Sequence, residues 1–233
     1  METSKDIWDK ALSYITNDVE EIVLPQFESD EVIGDFKHFM ISLSRYKFAG
    51  KMLEGKRSCL EIGCNTGFKT MLLSQFVDRV VGIDYEESAI QCANERFSNS
   101  KRTYLCADAL NMKPLDEKVD AVVALDVIEH INKKDEKKFI NSIIMNLTEK
   151  NGGGVCLIGT PNITAAEYQS EESRLSHINL YSHDRLRLLL SDYFYNVFMF
   201  GMNDEVVHTG FPSMAHYLFG IGVGKRDIGG MED

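Results

Sequence analysis

Between Ser58 and Thr160 the chain alternates short β-branched or apolar runs with longer stretches whose apolar residues recur every three or four positions. The runs are "SCLEIG", "RVVGID", "TYLCAD", "DAVVALD" and "GGVCLIGT". Between them, Phe68 to Phe76, Glu87 to Phe97 and Asp135 to Leu147 carry the helical period. Strands that read as near-continuous apolar runs are covered on both faces, and alternation with helices is the pattern of a parallel sheet. Right-handed crossovers then give a doubly wound sheet.

Two segments flank this core. Ile7, Trp8, Ala11, Leu12 and Ile15 fall on one helical face, and a second helical pattern runs from about Asp35 to Met52, so the chain is expected to begin with helices that cap the sheet. Towards the other end, "YSHDRLRLLLSDYF" reads as a helix with Ser182 as its N-cap, followed by the strand-like "YNVFMFG" and, after a polar insert, "MAHYLFGIGVG". No helix separates those last two runs, so they are expected to pair antiparallel. The pattern predicts an α/β fold: a mostly parallel seven-stranded sheet with an antiparallel C-terminal strand and N-terminal capping helices. Without a repeat or linker, residues 1–233 are expected to be one domain: a helical cap over 1–55, a ligand-binding core over 56–200, and an insert with the last strand over 201–233.

A chain of 233 residues, 44% of them hydrophobic, can bury one such core. Its formal net charge of −11 argues against a nucleic-acid partner, because phosphates need a basic face. No apolar run reaches the roughly 18 residues of a membrane span. The polar "METSKDIWDK" does not read as a signal peptide, so no membrane association and a cytoplasmic location are expected. The five cysteines form no C-x-x-C pair and read as reduced packing residues.

Ligands of an open parallel sheet bind beyond the carboxyl ends of its strands, and "CLEIGCNTGF" (59–68) occupies that position after the first run. Gly63 and Gly67 allow a tight turn and close backbone approach. The second run ends at Asp84, seventeen positions after Gly67, near the roughly 20-residue spacing at which an acid receives a ribose diol. "LEIGCNTG" with Asp84, "CADAL" (106–110), "DAVVALDVIEHI" (120–131) and "GGGVCLIGTPN" (152–162) resemble the successive motifs of class I S-adenosylmethionine-dependent methyltransferases, over about residues 57 to 200. Within that class "VIEHI" and "SHINLYSHDRLRLLL" are similar to the group containing the ubiquinone-biosynthesis O-methyltransferases. Asn65 stands where many members carry a glycine. The resemblance implies a Rossmann-like fold and S-adenosylmethionine as cofactor, with S-adenosylhomocysteine as product.

A dinucleotide loop is the alternative, but its usual G-x-G-x-x-G is replaced here by Gly63-x-x-x-Gly67, with Glu61 two positions before the first glycine. A pyrophosphate needs an open helix N-terminus, whereas a sulfonium cofactor carries no phosphate and tolerates nearby carboxylates. By resemblance, Glu61, Gly63, Asn65 and Gly67 line the methionine side. Asp84 takes the ribose hydroxyls with Tyr85 beside it, Asp108 and Ala109 frame the adenine, and Asp126 flanks the methionine.

Methyl transfer from a sulfonium is an in-line displacement, so the site must orient its acceptor and help a hydroxyl lose its proton. The candidate bases are His177, after the fifth strand, then His130 and His208. The insert "MNDEVVHTGFPSM" brings Asn203, Asp204 and Glu205 to the ligand side as candidate acceptor contacts, and Arg45 and Tyr46 are candidates from the helix before the core. Asp204, Glu205, His208 and His177 carry the carboxylates and imidazoles that suit a divalent cation, but without a short-range ligand motif no metal is expected. The C-terminal pattern, from "GTPN" to "MAHYLFGIGVGK", is also similar to methyltransferases of bacterial surface-polysaccharide and glycan-modification clusters. The expected function is methyl transfer to a small-molecule acceptor, foremost a hydroxyl of a sugar, nucleotide-sugar or glycan modifier. The alternatives are a quinone- or phenol-type O-methyltransferase and a catalytically silent binding module.

Overall fold

A computed structural model describes residues 2–14, 21–150 and 154–227. Its centre is one sheet of the strands β1 (Ser58–Ile62), β2 (Arg79–Asp84), β3 (Arg102–Cys106), β4 (Ala121–Leu125), β5 (Val155–Pro161), β6 (Phe194–Asn203), β7 (Val206–His208) and β8 (Tyr217–Lys225). Their order is β3-β2-β1-β4-β5-β8-β6-β7. Strands β1 to β5 pair parallel, and β8 runs antiparallel to both β5 and β6. The order reverses between β1 and β4, which sets the crevice there.

The sheet has eight strands rather than seven. The additional one is β7: a two-residue turn at Asp204 and Glu205 folds Val206–His208 back on the end of β6. Asp204 has a left-handed backbone (φ 46°), which an aspartate tolerates better than most residues, so the polar insert closes as a hairpin instead of remaining an open loop.

The expected helical cap also needs correction. Helix α1 (Ser4–Leu12) forms through a capping box in which Thr3 and Asp6 satisfy each other's backbone N–H, but it buries no residue. Ile7, Trp8 and Leu12 are exposed, and Ile15 lies outside the described residues. The cap is formed by the second expected helix, α3 (Phe36–Met52), which packs on the helix after β1 and on β4, together with α2 (Gln26–Gly34) packed against it. The sequence pattern did not reveal α2, because Phe27, Val32 and Ile33 do not gather on one helical face.

Strand periodicity decides what each face of the sheet meets. On β1, Leu60 and Ile62 enter one core with Val122, Ala124, Ile158 and residues Phe139, Ile140 and Ile143 of α6 (Glu136–Asn146). Cys59 points the other way, with Val123, Leu157, Phe219 and the α3 residues Tyr46 and Ala49. The same alternation sends Glu61 to the α3 face. Helix α5 (Glu87–Phe97) forms where the sequence places it, whereas the stretch after Gly67 narrows to α4 (Thr70–Leu73), flanked by turns with hydrogen bonds over three residues at Met71, Leu72, Gln75 and Phe76. The C-terminal helices are α7 (Glu171–Ser176) and α8 (His183–Tyr193), the latter capped by Ser182 as expected.

These burials separate the two ends of the stability scale. Leu60→Ala should cost about 3 kcal/mol through lost burial and a residual cavity, whereas Trp8→Ala, at a side chain 64% exposed, should cost under about 0.5 kcal/mol. Chemical denaturation of the two variants beside the parent chain checks the contrast.

Candidate functional site

The loop after β1 is shaped by three left-handed residues, Gly63 (φ 79°), Asn65 (φ 47°) and Gly67 (φ 77°). A Cβ at Gly63 would stand 2.4 Å from the Val127 side chain, and one at Gly67 would stand 2.7 Å from the Tyr104 ring. Both glycines are therefore required by conformation and by space. Asn65 takes the third such position because asparagine adopts this conformation more readily than other side chains.

Asp84 ends β2 and ties this loop to the neighbouring one. One carboxylate oxygen accepts the Asn65 backbone N–H at 2.9 Å, and the other accepts that of Glu86 at 3.0 Å. Tyr85 beside it is exposed. Beyond the end of β3, Asp108 accepts the Leu110 backbone N–H and the Asn111 side-chain amide, which fixes an exposed turn that includes the half-buried Ala109. The residues expected on the cofactor side thus converge on adjacent strand ends.

Beneath the loop lies Glu61, 1% exposed, with neither carboxylate oxygen in hydrogen-bond geometry. Burial raises its pKa above the ordinary 4.5; the nearby hydroxyls of Thr70 and Tyr46 offset this in part, and the charge of Asp84 adds to it. Tyr46 is buried against this face, so its hydroxyl meets the cofactor side rather than an open acceptor surface.

After β4 the backbone turns through Asp126, also left-handed (φ 57°). Arg45 reaches across from α3, and its Nη1 donates to both Asp126 oxygens at 2.9 Å while the guanidinium lies 4.0 Å from the centre of the Tyr217 ring. Arg45 is 8% exposed and already engaged, so its strongest partner is a carboxylate of this chain.

Sequence reading passed over Glu129, within "VIEHI". This residue is fully buried; Thr160 Oγ1 donates to its Oε2 at 3.0 Å, and its Oε1 has no partner. Burial, followed by the Asp126 charge, pushes its pKa up to about 8. Beside it, His130 and His177 meet edge to face with ring centres 5.0 Å apart. His130 Nδ1 lies 3.0 Å from the Ser176 carbonyl, so this nitrogen carries the proton and Nε2 is free to accept. The Nδ1 of His177 is buried without a partner, and burial followed by the neighbouring His130 lowers its pKa from 6.5, which keeps it neutral near pH 7.

The segment 177–182 is held in place by a polar network. Asn179 donates its backbone N–H to the Glu129 carbonyl and its side-chain amide to the Tyr181 hydroxyl at 3.0 Å, and Tyr181 in turn donates to Glu136. Arg185 closes the network on Glu136 at 2.5 Å and stacks over Tyr181.

The insert residues are spent on their own hairpin. His208 Nε2 donates to the Asn203 side-chain carbonyl at 2.7 Å, and its Nδ1 accepts the Gly210 backbone N–H at 3.1 Å. Both ring nitrogens are used, so His208 has none left to act as a base. Asn203 also donates to the Met214 carbonyl, and Asp204 and Glu205 form the turn. The structure does not gather Asp204, Glu205 and His208 with His177. Among the described residues, the cluster with metal-ligand spacing is Glu129, His130 and His177.

A second contact absent from the sequence reading joins α2 to the loop. Thr66 Oγ1 donates to the buried Glu28 at 2.6 Å, and Lys69 pairs with Glu31 at 3.0 Å.

The strand order, the loop and its acids define a Rossmann-like methyltransferase fold, and residues 60–153 match the family described as a methyltransferase domain. The chain is 35% identical over 107 residues to a probable S-adenosylmethionine-dependent methyltransferase of Mycolicibacterium smegmatis, covering 46% of this chain and 38% of that protein. It is 32% identical over 131 residues to the mitochondrial ubiquinone biosynthesis O-methyltransferase of Dictyostelium discoideum, covering 51% and 39%. The chain spans well under half the length of these curated relatives. The plantazolicin methyltransferase BpumL, solved with a desmethyl-plantazolicin analogue and S-adenosylhomocysteine, superposes with a TM-score of 0.62 at 19% identity, covering 86% of this chain and 90% of that one. The N-methyltransferase NodS from Bradyrhizobium japonicum superposes with a TM-score of 0.57 at 17% identity, covering 84% and 99%. At these identities the likeness shows the fold.

Glu61 supplies a test by pH. An acid whose folded pKa is raised binds more protons folded than unfolded, so its contribution to stability falls as pH rises from about 4.5 towards the raised value. Glu61→Gln mimics the protonated form. It should melt a few degrees above the parent at pH 7–8, with the curves converging below about pH 4.5, in thermal denaturation of the cofactor-free protein.

Proposed function

We propose that this chain binds S-adenosylmethionine in the crevice between β1 and β4 and transfers its methyl group to the hydroxyl of a small-molecule acceptor. The observation that carries the reading is Glu61. A buried carboxylate with no ion-pair partner and only the Thr70 and Tyr46 hydroxyls beside it among the described residues, directly under a glycine turn, repels a pyrophosphate but suits a cofactor with a cationic sulfonium and ammonium. Asp84, fixed by two backbone N–H groups on the adjacent strand end, accepts the ribose hydroxyls, and the turn at Asp108 and Ala109 borders the adenine. The named relatives and the neighbours solved with S-adenosylhomocysteine support the same cofactor.

The acceptor lies on the side of the crevice walled by the 126–130 and 162–182 segments, where the His130–His177 pair stands ready to handle a hydroxyl proton. A sugar, nucleotide-sugar or glycan hydroxyl is the primary reading, resting on the likeness of the C-terminal pattern to glycan-modifying methyltransferases. A quinone- or phenol-type acceptor is the second, favoured by the exposed apolar Tyr168, Leu175, Ile178, Phe211 and Met214 on the post-β5 segments and the insert.

Calorimetric titration with S-adenosylhomocysteine tests the cofactor. A stoichiometric complex is expected in the parent chain, with Asp84→Asn weakening it at least about tenfold through loss of a charge-assisted hydrogen bond. Absence of binding by the folded parent chain refutes the reading. Incubation with labelled S-adenosylmethionine and panels of sugar and phenol acceptors then separates the two acceptor classes.

A further inference from the structure

Strand β6 is paired along nearly all of one edge and along little of the other. Its inner edge pairs with β8 from Phe194 to Met202, while β7 covers the outer edge only at Gly201, Met202 and Asn203. Among the described residues no other strand pairs with β6, so its outer edge over 194–200 is open. Backbone N–H and C=O groups along such an edge form a template for a further strand. We propose that the outer edge of β6 pairs antiparallel with β6 of a second copy of this chain, joining the two sheets into one across a two-fold axis.

This stretch lacks the devices that keep a sheet edge solitary. Natural edges are blunted by charge, proline, a bulge or shortness. Residues 194–203, "FYNVFMFGMN", carry no charge and no proline, and their register with β8 runs without a bulge. Tyr195 is 63% exposed and Phe198 54%, so aromatic surface is left uncovered together with backbone. The opposite edge of the sheet differs: β3 has five residues against the ten of β6, and it opens with Arg102 directly after Lys101. On a chain of net charge −11, a neutral edge lets two copies approach without like-charge repulsion at the contact.

The ends of the open edge select a second copy as its occupant. β7 closes it at Gly201, so the free length is centred on Val197. Antiparallel pairing about a two-fold axis through Val197 sets Val197 opposite itself, Asn196 opposite Phe198 and Tyr195 opposite Met199, each pair on one face of the joined sheet. None of these pairs opposes like charges. Charge beyond the open edge also matches. At one end stands Arg226, whose Nε donates to the Phe194 carbonyl and whose guanidinium lies 5.2 Å from the centre of the Tyr195 ring; at the other stand the exposed Asp204 and Glu205. Antiparallel pairing directs the Arg226 end of each copy towards the acidic turn of the other. Strands β8 and β5 separate this edge from the crevice between β1 and β4, so the pairing leaves the crevice free and does not depend on the cofactor reading.

Sedimentation equilibrium of the full chain from about 1 to 100 µM tests the interface. A monomer–dimer equilibrium is expected, with Phe198→Lys and Asn196→Glu, both at exposed side chains, each weakening association at least about tenfold. An equimolar mixture of the two variants should form heterodimers, because the pairing sets the introduced lysine opposite the introduced glutamate. Unchanged far-UV circular dichroism in both variants separates loss of the interface from loss of the fold. Hydrogen exchange at the backbone N–H groups of 195–200 provides a readout without substitution, and it should slow as concentration rises. A parent chain that stays monomeric over this range overturns the inference and leaves the edge to a strand of a different protein. A dimer that keeps its affinity in both variants, with exchange at 195–200 independent of concentration, overturns it as well, because the copies then meet on another surface.

Discussion

The crevice between β1 and β4 holds more carboxylate than its own cations neutralise. Glu61 and Glu129 are buried, Asp126 is partly so, and the buried guanidinium among them, Arg45, is committed to Asp126. Taking charge out of water is expensive unless it is paired, and here the imbalance is carried as raised carboxyl pKa values and as oxygens without hydrogen bonds. A fold that buries such a cluster at its binding edge is prepared for positively charged ligands. The sulfonium cofactor proposed for the crevice is such a ligand.

The scaffold keeps these charges apart in function. Strand alternation turns Glu61 towards α3, where Tyr46 and the glycine loop enclose it, while the turn through Asp126 carries Glu129 onward to the segment after β5. The polar network of Asn179, Tyr181, Glu136 and Arg185 then pins His177 over the same end of the sheet. One wall of the crevice is thereby built from residues close in sequence, and the other from segments that meet only through folding.

How much was legible follows this division. Gly63, Gly67 and Asp84 were readable because a tight turn and an acid at the next strand end must recur at fixed spacing in a βαβ unit. His208 was misread because its ring looked free along the sequence, whereas the two-residue turn at Asp204 brings it to Asn203 and Gly210. Glu129 escaped notice because nothing in "VIEHI" shows which way its glutamate turns, and its partner Thr160 lies on another strand. Helix α2, which delivers Glu28 to Thr66, has no apolar face to announce it.

By itself, then, the amino-acid sequence determined the parallel core, the antiparallel final strand and the acids that edge the glycine loop, because periodicity and turn chemistry act over a few residues. Only the tertiary structure decided that α1 stands away from the cap, that the insert folds into an eighth strand, and that Glu129, His130 and His177 share one point. Burial and hydrogen-bond satisfaction are set by whichever distant segments pack together, and no local pattern encodes that.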